Sequence, residues 1–188
     1  MSRVDLFIVI HKGIRGLLFD LARDAARVDP TSNHAVDGLV AQVERTLGFL
    51  DEHGRLEDAF VFPAVRARDG ALADELAAEH RGLEVVQLEV ERAADELALA
   101  QLSARASAGA HLARAINHLV AVQLIHMNRE ETEVCACLWA GYGDDELMAI
   151  SNRRKAAVSA EREAEWRQVV ASALNPVEHR LVIGSAVG

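Results

Sequence analysis

Two six-residue stretches decide how this chain folds: His53-Gly54-Arg55-Leu56-Glu57-Asp58 and His126-Met127-Asn128-Arg129-Glu130-Glu131. In each, a histidine stands one helical turn ahead of a carboxylate, so in a helix both side chains leave the same face and can grip one ion. A second matched pair lies upstream. His11-Lys12-Gly13-Ile14 and His80-Arg81-Gly82-Leu83 precede their His-x-x-x-Glu partners by 42 and 46 residues respectively. The order His, then His-x-x-x-Glu, is therefore written twice, a repeat with pseudo-two-fold form.

Outward from these stretches the chain reads as helix after helix. Apolar residues at helical spacing run from about Arg3 to Val28, where Asp29-Pro30-Thr31-Ser32-Asn33 stops them. A second helix is expected from about His34 to Arg68, kinked by Pro63 just beyond Glu57 because proline lacks a backbone donor. Asp69-Gly70 is a turn. The third helix covers roughly Ala71 to Leu99, rich in the strong helix formers Ala, Leu and Glu. Ser103 to Gly109 reads as the least ordered connection, and a fourth helix follows from about Ala110 to Ala140, ending at Gly141-Tyr142-Gly143. Shorter helices come after it: one opened by Asp144-Asp145-Glu146 and reaching about Lys155, one capped by Ser159 and reaching Leu174, and one opened by Asn175-Pro176.

Four long helices with short connections imply an all-α, up-and-down antiparallel four-helix bundle over residues 1–143, with residues 144–188 as a helical extension packed on it. Residue counts then set heights, at about 1.5 Å per residue. From the turn near Thr31, His11 lies 20 residues back and His53 22 forward; from Ala104, His80 lies 24 back and His126 22 forward. All four histidines reach a common level to within roughly a turn or two.

A lone helical histidine is usually a surface or hydrogen-bonded core residue. Four at one level, two of them followed by carboxylates, reverse that expectation, because carboxylates buried mid-bundle cost several kcal/mol each unless a cation or strong hydrogen bonds compensate them. The expected metal ligands are His11, His53, Glu57, His80, His126 and Glu130. They are too many for one tetrahedral zinc but suit two octahedral-leaning ions. Mixed nitrogen and oxygen ligation favours iron or manganese over calcium or magnesium. In the simplest scheme Glu57 and Glu130 bridge, His11 and His53 hold one ion, and His80 and His126 hold the other. A solvent-derived oxo or hydroxo group completes the centre, and its open positions would take dioxygen or peroxide.

Bulk properties agree. At 188 residues, 51% apolar and 26% charged, the chain has the composition of a globular domain with a substantial core. A formal charge of −9 argues against nucleic acid or an anionic membrane as partner, since either needs a basic face. Met1 to Leu18 is broken by Arg3, Asp5, His11, Lys12 and Arg15 and reads as neither signal peptide nor membrane span, so a cytoplasmic location is expected. Cys135 and Cys137, two residues apart in a helix, point in different directions and read as unbridged core residues.

The order His11, His53-x-x-x-Glu57, His80, His126-x-x-x-Glu130 resembles the hemerythrin family in its bacterial HHE cation-binding branch. Glu57-Asp58-Ala59-Phe60-Val61-Phe62-Pro63 is similar to that branch's His-x-x-x-Glu-Glu-x-x-Leu-Phe-Pro signature, and the likeness spans about Val9 to Trp139. The resemblance implies a carboxylate-bridged di-iron centre, with Mn or Zn as alternative metals, that binds or senses dioxygen, nitric oxide, peroxide or iron. The alternative is an enzyme of peroxide removal, catalase-like, or of dioxygen-dependent oxidation; a protein partner could dock on the C-terminal helices. Two departures stand out. Oxygen carriers place two histidines one turn apart on the third helix, whereas Leu76 and Glu84 flank His80 here, leaving Glu84 as a possible extra ligand. The carriers' last carboxylate falls one residue later, which would select Glu131; Glu130 is preferred because it repeats the geometry of His53 and Glu57. Glu52 and Glu79, each beside an expected ligand, read as solvated, and His34, His111, His118 and His179 as lying outside the site.

Overall fold

The computed structural model describes residues 3–182 and 184; residues 1–2, 183 and 185–188, the outer ends of the two expected domains, lie outside the described residues. Every regular element among the described residues is helical, as expected. α1 spans Ile8–Ala25, α2 Asn33–Phe60, α3 Phe62–Arg66, α4 Gly70–Leu99 and α5 Leu102–Arg129. A π-helical turn, Glu130–Val134, leads into α6, Cys135–Gly141, and then come α7, Asp144–Ala156, α8, Ala160–Ala173, and α9, Pro176–Val182.

Local chemistry sets the boundaries. α1 begins later than its apolar pattern because the Asp5 carboxylate accepts from the backbone N–H of Phe7 at 2.8 Å and of Ile8 at 2.9 Å, capping the helix there. Between α1 and α2, Asp29 Oδ1 accepts from the backbone N–H of Thr31 at 2.9 Å and from its hydroxyl at 2.7 Å. Pro63 does more than kink the second helix. α2 ends at Phe60 and a five-residue α3 restarts with the proline in its first turn, where a missing N–H is harmless. Asp69 then caps α4 by accepting from Leu72 N at 3.0 Å.

The expected loose connection at Ser103–Gly109 is wrong: α5 runs through it from Leu102. Ala104, Ala106 and Ala108 favour helix strongly enough to carry the serines between them. Arg105 also fastens the turn, donating to Ala100 O at 3.1 Å and to Asn33 Oδ1 at 2.6 Å. Further on, the expected C-terminal caps are present. Gly143 N donates to the Glu146 carboxylate at 2.8 Å, Ser159 Oγ accepts from Arg162 N at 3.2 Å, and Asn175 Oδ1 accepts from Val177 N at 2.9 Å.

Backbone contacts divide the chain into two compact units. The first comprises Met1–Leu17, Leu56–Ala73 and Met127–Gly188. Its core includes Phe7, Ile14, Val61, Val65, Leu138, Leu147 and Trp166. Gly13 lets α8 press onto α1, since a Cβ there would stand 3.0 Å from Val169 Cγ1 and 3.3 Å from the Val170 backbone. Arg3 ties the start of the chain to the α6–α7 junction, donating to Asp144 at 2.7 Å and to Trp139 O at 3.1 Å, while Trp139 Nε1 donates to Val4 O at 2.8 Å. The second unit comprises Leu18–Arg55 and Asp74–His126. Leu18, Leu21, Phe49, Leu76, Leu97, Leu112 and Ile116 fill its core.

Candidate metal centre

His11 on α1, Glu57 on α2 and Glu130 at the start of the π-helical turn are fully buried, at 0% exposure each. His11 Nε2 lies 3.4 Å from Glu130 Oε2 and 3.9 Å from Glu57 Oε1. Its other nitrogen, Nδ1, lies 2.9 Å from Glu131 Oε1, which Arg15 Nη1 also approaches to 2.8 Å. Burial alone would push this imidazole's pKa down, but Glu130, Glu131 and Glu57 raise it to about 10. For Glu57, burial and then the charge of Glu130 push the pKa up to about 7, against the opposing pull of His11 and Arg154.

His53, His80 and His126 are buried in the second unit. His80 Nε2 and His126 Nε2 stand 3.0 Å apart, with ring centroids 4.8 Å apart and planes at 62°. His126 Nδ1 lies 2.8 Å from Glu79 Oε2. With the α4–α5 turn at Ala100–Gln101 rather than near Ala104, His80 sits 20 residues before it and His126 25 after, an offset of about 7.5 Å along the axis. Side-chain direction closes that gap. Cα–Cβ bonds tilt towards each helix's N-terminus, so His80 leans away from the turn and His126 leans towards it.

Two groups of four potential ligands result: His11, His53, Glu57 and Glu130, and Glu57, His80, His126 and Glu130. Within each group one donor atom per residue lies within 4.8 Å of all the others, and the two carboxylates belong to both. Glu131 and Glu84 are in neither. Glu131 faces the outer nitrogen of His11, and Glu84 is exposed on an open groove with Val43, Leu47 and Asp51. Glu79 is not the solvated residue expected beside His80; it reaches across to His126 instead. His34, His118 and His179 are exposed, and His111 meets Glu96 at 2.9 Å, away from both groups. Tyr142 donates to Ala64 O at 3.0 Å. Cys135 and Cys137 are unbridged, and burial pushes the Cys135 thiol up to about 12.

The hemerythrin HHE cation binding domain model matches residues 2–138. The chain belongs to this hemerythrin family. Searches of curated proteins and of solved structures each returned no significant match. Membership accounts for the all-α hemerythrin-like bundle, and the buried His/Glu cluster is compatible with the metal binding that the family's description names. The hemerythrin match ends at Leu138, before α7. No described helix is long and apolar enough to cross a membrane.

One residue of α7 bears on the site and escaped the sequence reading. Arg154 is half-buried, with Nη2 donating to Leu6 O at 2.9 Å, and burial lowers its pKa while the charges of Glu57 and Glu130 raise it. The signal was present in the sequence. Leu147, Ile150 and Arg154 recur at three- and four-residue spacing, so a cation stands where the buried face calls for a hydrocarbon.

Proposed function

We propose that this protein holds two iron ions, one on His11, His53, Glu57 and Glu130 and one on His80, His126, Glu57 and Glu130, and uses them to bind or sense dioxygen, nitric oxide or peroxide. The observation that carries this reading is the pair of four-ligand groups with both carboxylates in common. Shared carboxylates suit a dinuclear site, and nitrogen with oxygen donors suits iron, with manganese or zinc as weaker fits. Iron, when bound, supplies one-electron redox chemistry and open positions for a small ligand.

The chain's own residues prepare the site. Glu131 and Glu79 sit at the outer Nδ1 atoms of His11 and His126, which favours the tautomer that turns the Nε2 lone pair inward. The His80 and His126 Nε2 atoms stand 3.0 Å apart, a hydrogen-bond distance in which one ring donates to the other, and one cation would take both nitrogens in place of that proton. Phe7, fully buried, packs its ring centroid 5.5 Å from that of His11 and so keeps water from that imidazole. A cytoplasmic location and a C-terminal extension over residues 144–188 belong to the same reading.

Addition of nitric oxide, dioxygen or peroxide to the iron-loaded protein tests it by optical spectroscopy. Reversible, stoichiometric spectral change is expected for a binding or sensing centre. Sustained oxygen evolution from peroxide would replace that function with a catalase-like one, and no spectral response to any of the three would refute both.

A further inference from the structure

Arg154 completes the buried face of α7 that Leu147 and Ile150 begin. Its neighbours Arg153 and Lys155 are exposed, as cations in a last helical turn usually are. Arg154 differs. Nη2 is held by Leu6 O at 2.9 Å, and Nη1 is buried with no hydrogen-bond partner among the described residues. The guanidinium charge acts on both Glu57 and Glu130, the two carboxylates common to both ligand groups.

A buried guanidinium is unfavourable without nearby anions, and buried carboxylates are unfavourable without nearby cations. His11, 3.4 Å from Glu130 and 3.9 Å from Glu57, answers part of the carboxylates' need in the metal-free chain; Arg154 adds a second cation that, unlike a histidine, cannot be made neutral by losing its proton. We propose that Arg154 is a built-in counter-ion of the metal centre, steadying Glu57 and Glu130 when no metal is bound and thereby setting how tightly divalent cations bind. This inference rests on the dinuclear reading above. The charge that steadies the carboxylates also repels incoming cations, so its removal acts oppositely on the two states: the metal-free protein loses stability and the metal binds more tightly. Protons taken up by the carboxylates offset part of this gain. A proton carries one charge, however, and each divalent ion carries two.

Redox-silent zinc is the probe, titrated into the full-length protein against a competing chelator at pH 8. Arg154→Met keeps an unbranched apolar stem and deletes the charge; Arg154→Lys keeps the charge. For Arg154→Met, the metal-free melting temperature is expected to fall and zinc affinity to rise about tenfold, widening the gap between metal-free and zinc-loaded melting. Arg154→Lys should stay near wild type in both measurements. Equal losses in both melting temperatures with unchanged zinc affinity would reveal mere packing and overturn the proposal, as would weaker zinc binding. Should metal-free Arg154→Met not fold, zinc release from the loaded variant decides: slower release than wild type supports the proposal, and equal or faster release overturns it. Wild-type protein that binds no metal would instead overturn the dinuclear reading itself.

Discussion

His11 and Glu57 carry the largest consequences of burial at the scale of single residues. Their pKa values rise from 6.5 to about 10 and from 4.5 to about 7. A group whose folded-state pKa is raised contributes stability that is complete below its unfolded value and lost as pH climbs through its folded value. The metal-free protein should therefore lose stability progressively between about pH 4.5 and pH 10, and metal affinity should rise over the same window because ions displace these protons. Melting curves of chelator-treated protein at pH 6 and pH 9 check the sign; a higher melting temperature at pH 9 would contradict it. The outer carboxylates make a second expectation. Glu79→Gln and Glu131→Gln should each weaken metal binding about 10- to 100-fold, as loss of a partner to a metal-binding imidazole generally does. His179→Ala, on an exposed residue, should leave metal content at the wild-type level.

At the scale of elements, the π-helical turn is where sequence periodicity reached its limit. The choice between Glu130 and Glu131 assumed one continuous helix, but the wider turn gives both residues work: Glu130 faces the ligand groups and Glu131 the back of His11. Thr132 helps sustain that turn by donating its hydroxyl to Asn128 O at 2.8 Å. Deleting Thr132 should restore an ordinary helix, keep the helical circular-dichroism signal and abolish most metal binding, as elemental analysis would show. Gly13→Ala tests a different joint. The added methyl would press on the backbone of α8, and after the gain in helix propensity a net loss of about 1 kcal/mol is expected, seen as a melting temperature a few degrees lower.

Much at this scale was legible beforehand, because capping and breaking are local chemistry. Asp29, Asp69, Ser159, Asn175 and Pro63 announce their roles within a few residues, whereas Asp5, set inside an apolar run, does not. Ser103–Gly109 misled because serine and glycine weigh as loop formers until the alanines between them and the anchor made by Arg105 are counted. Glu79 misled because its partner lies 47 residues away, and no local rule finds a contact at that separation.

For the whole molecule, the grouping of His11, His53, Glu57, His80, His126 and Glu130 was legible because each repeat states its chemistry at fixed helical spacing, whereas the burial of Arg154 depends on how a later helix packs. Metal and fold should also be linked. A cation that binds only the folded chain stabilises it by mass action, so chelation is expected to lower the melting temperature and re-addition to restore it. Iron stoichiometry after anaerobic reconstitution is the most direct measurement. Two ions per chain are expected in the wild type and fewer than one in His53→Ala and Glu130→Ala variants that remain helical; a single ion per chain, or two that survive both substitutions, would contradict the dinuclear centre.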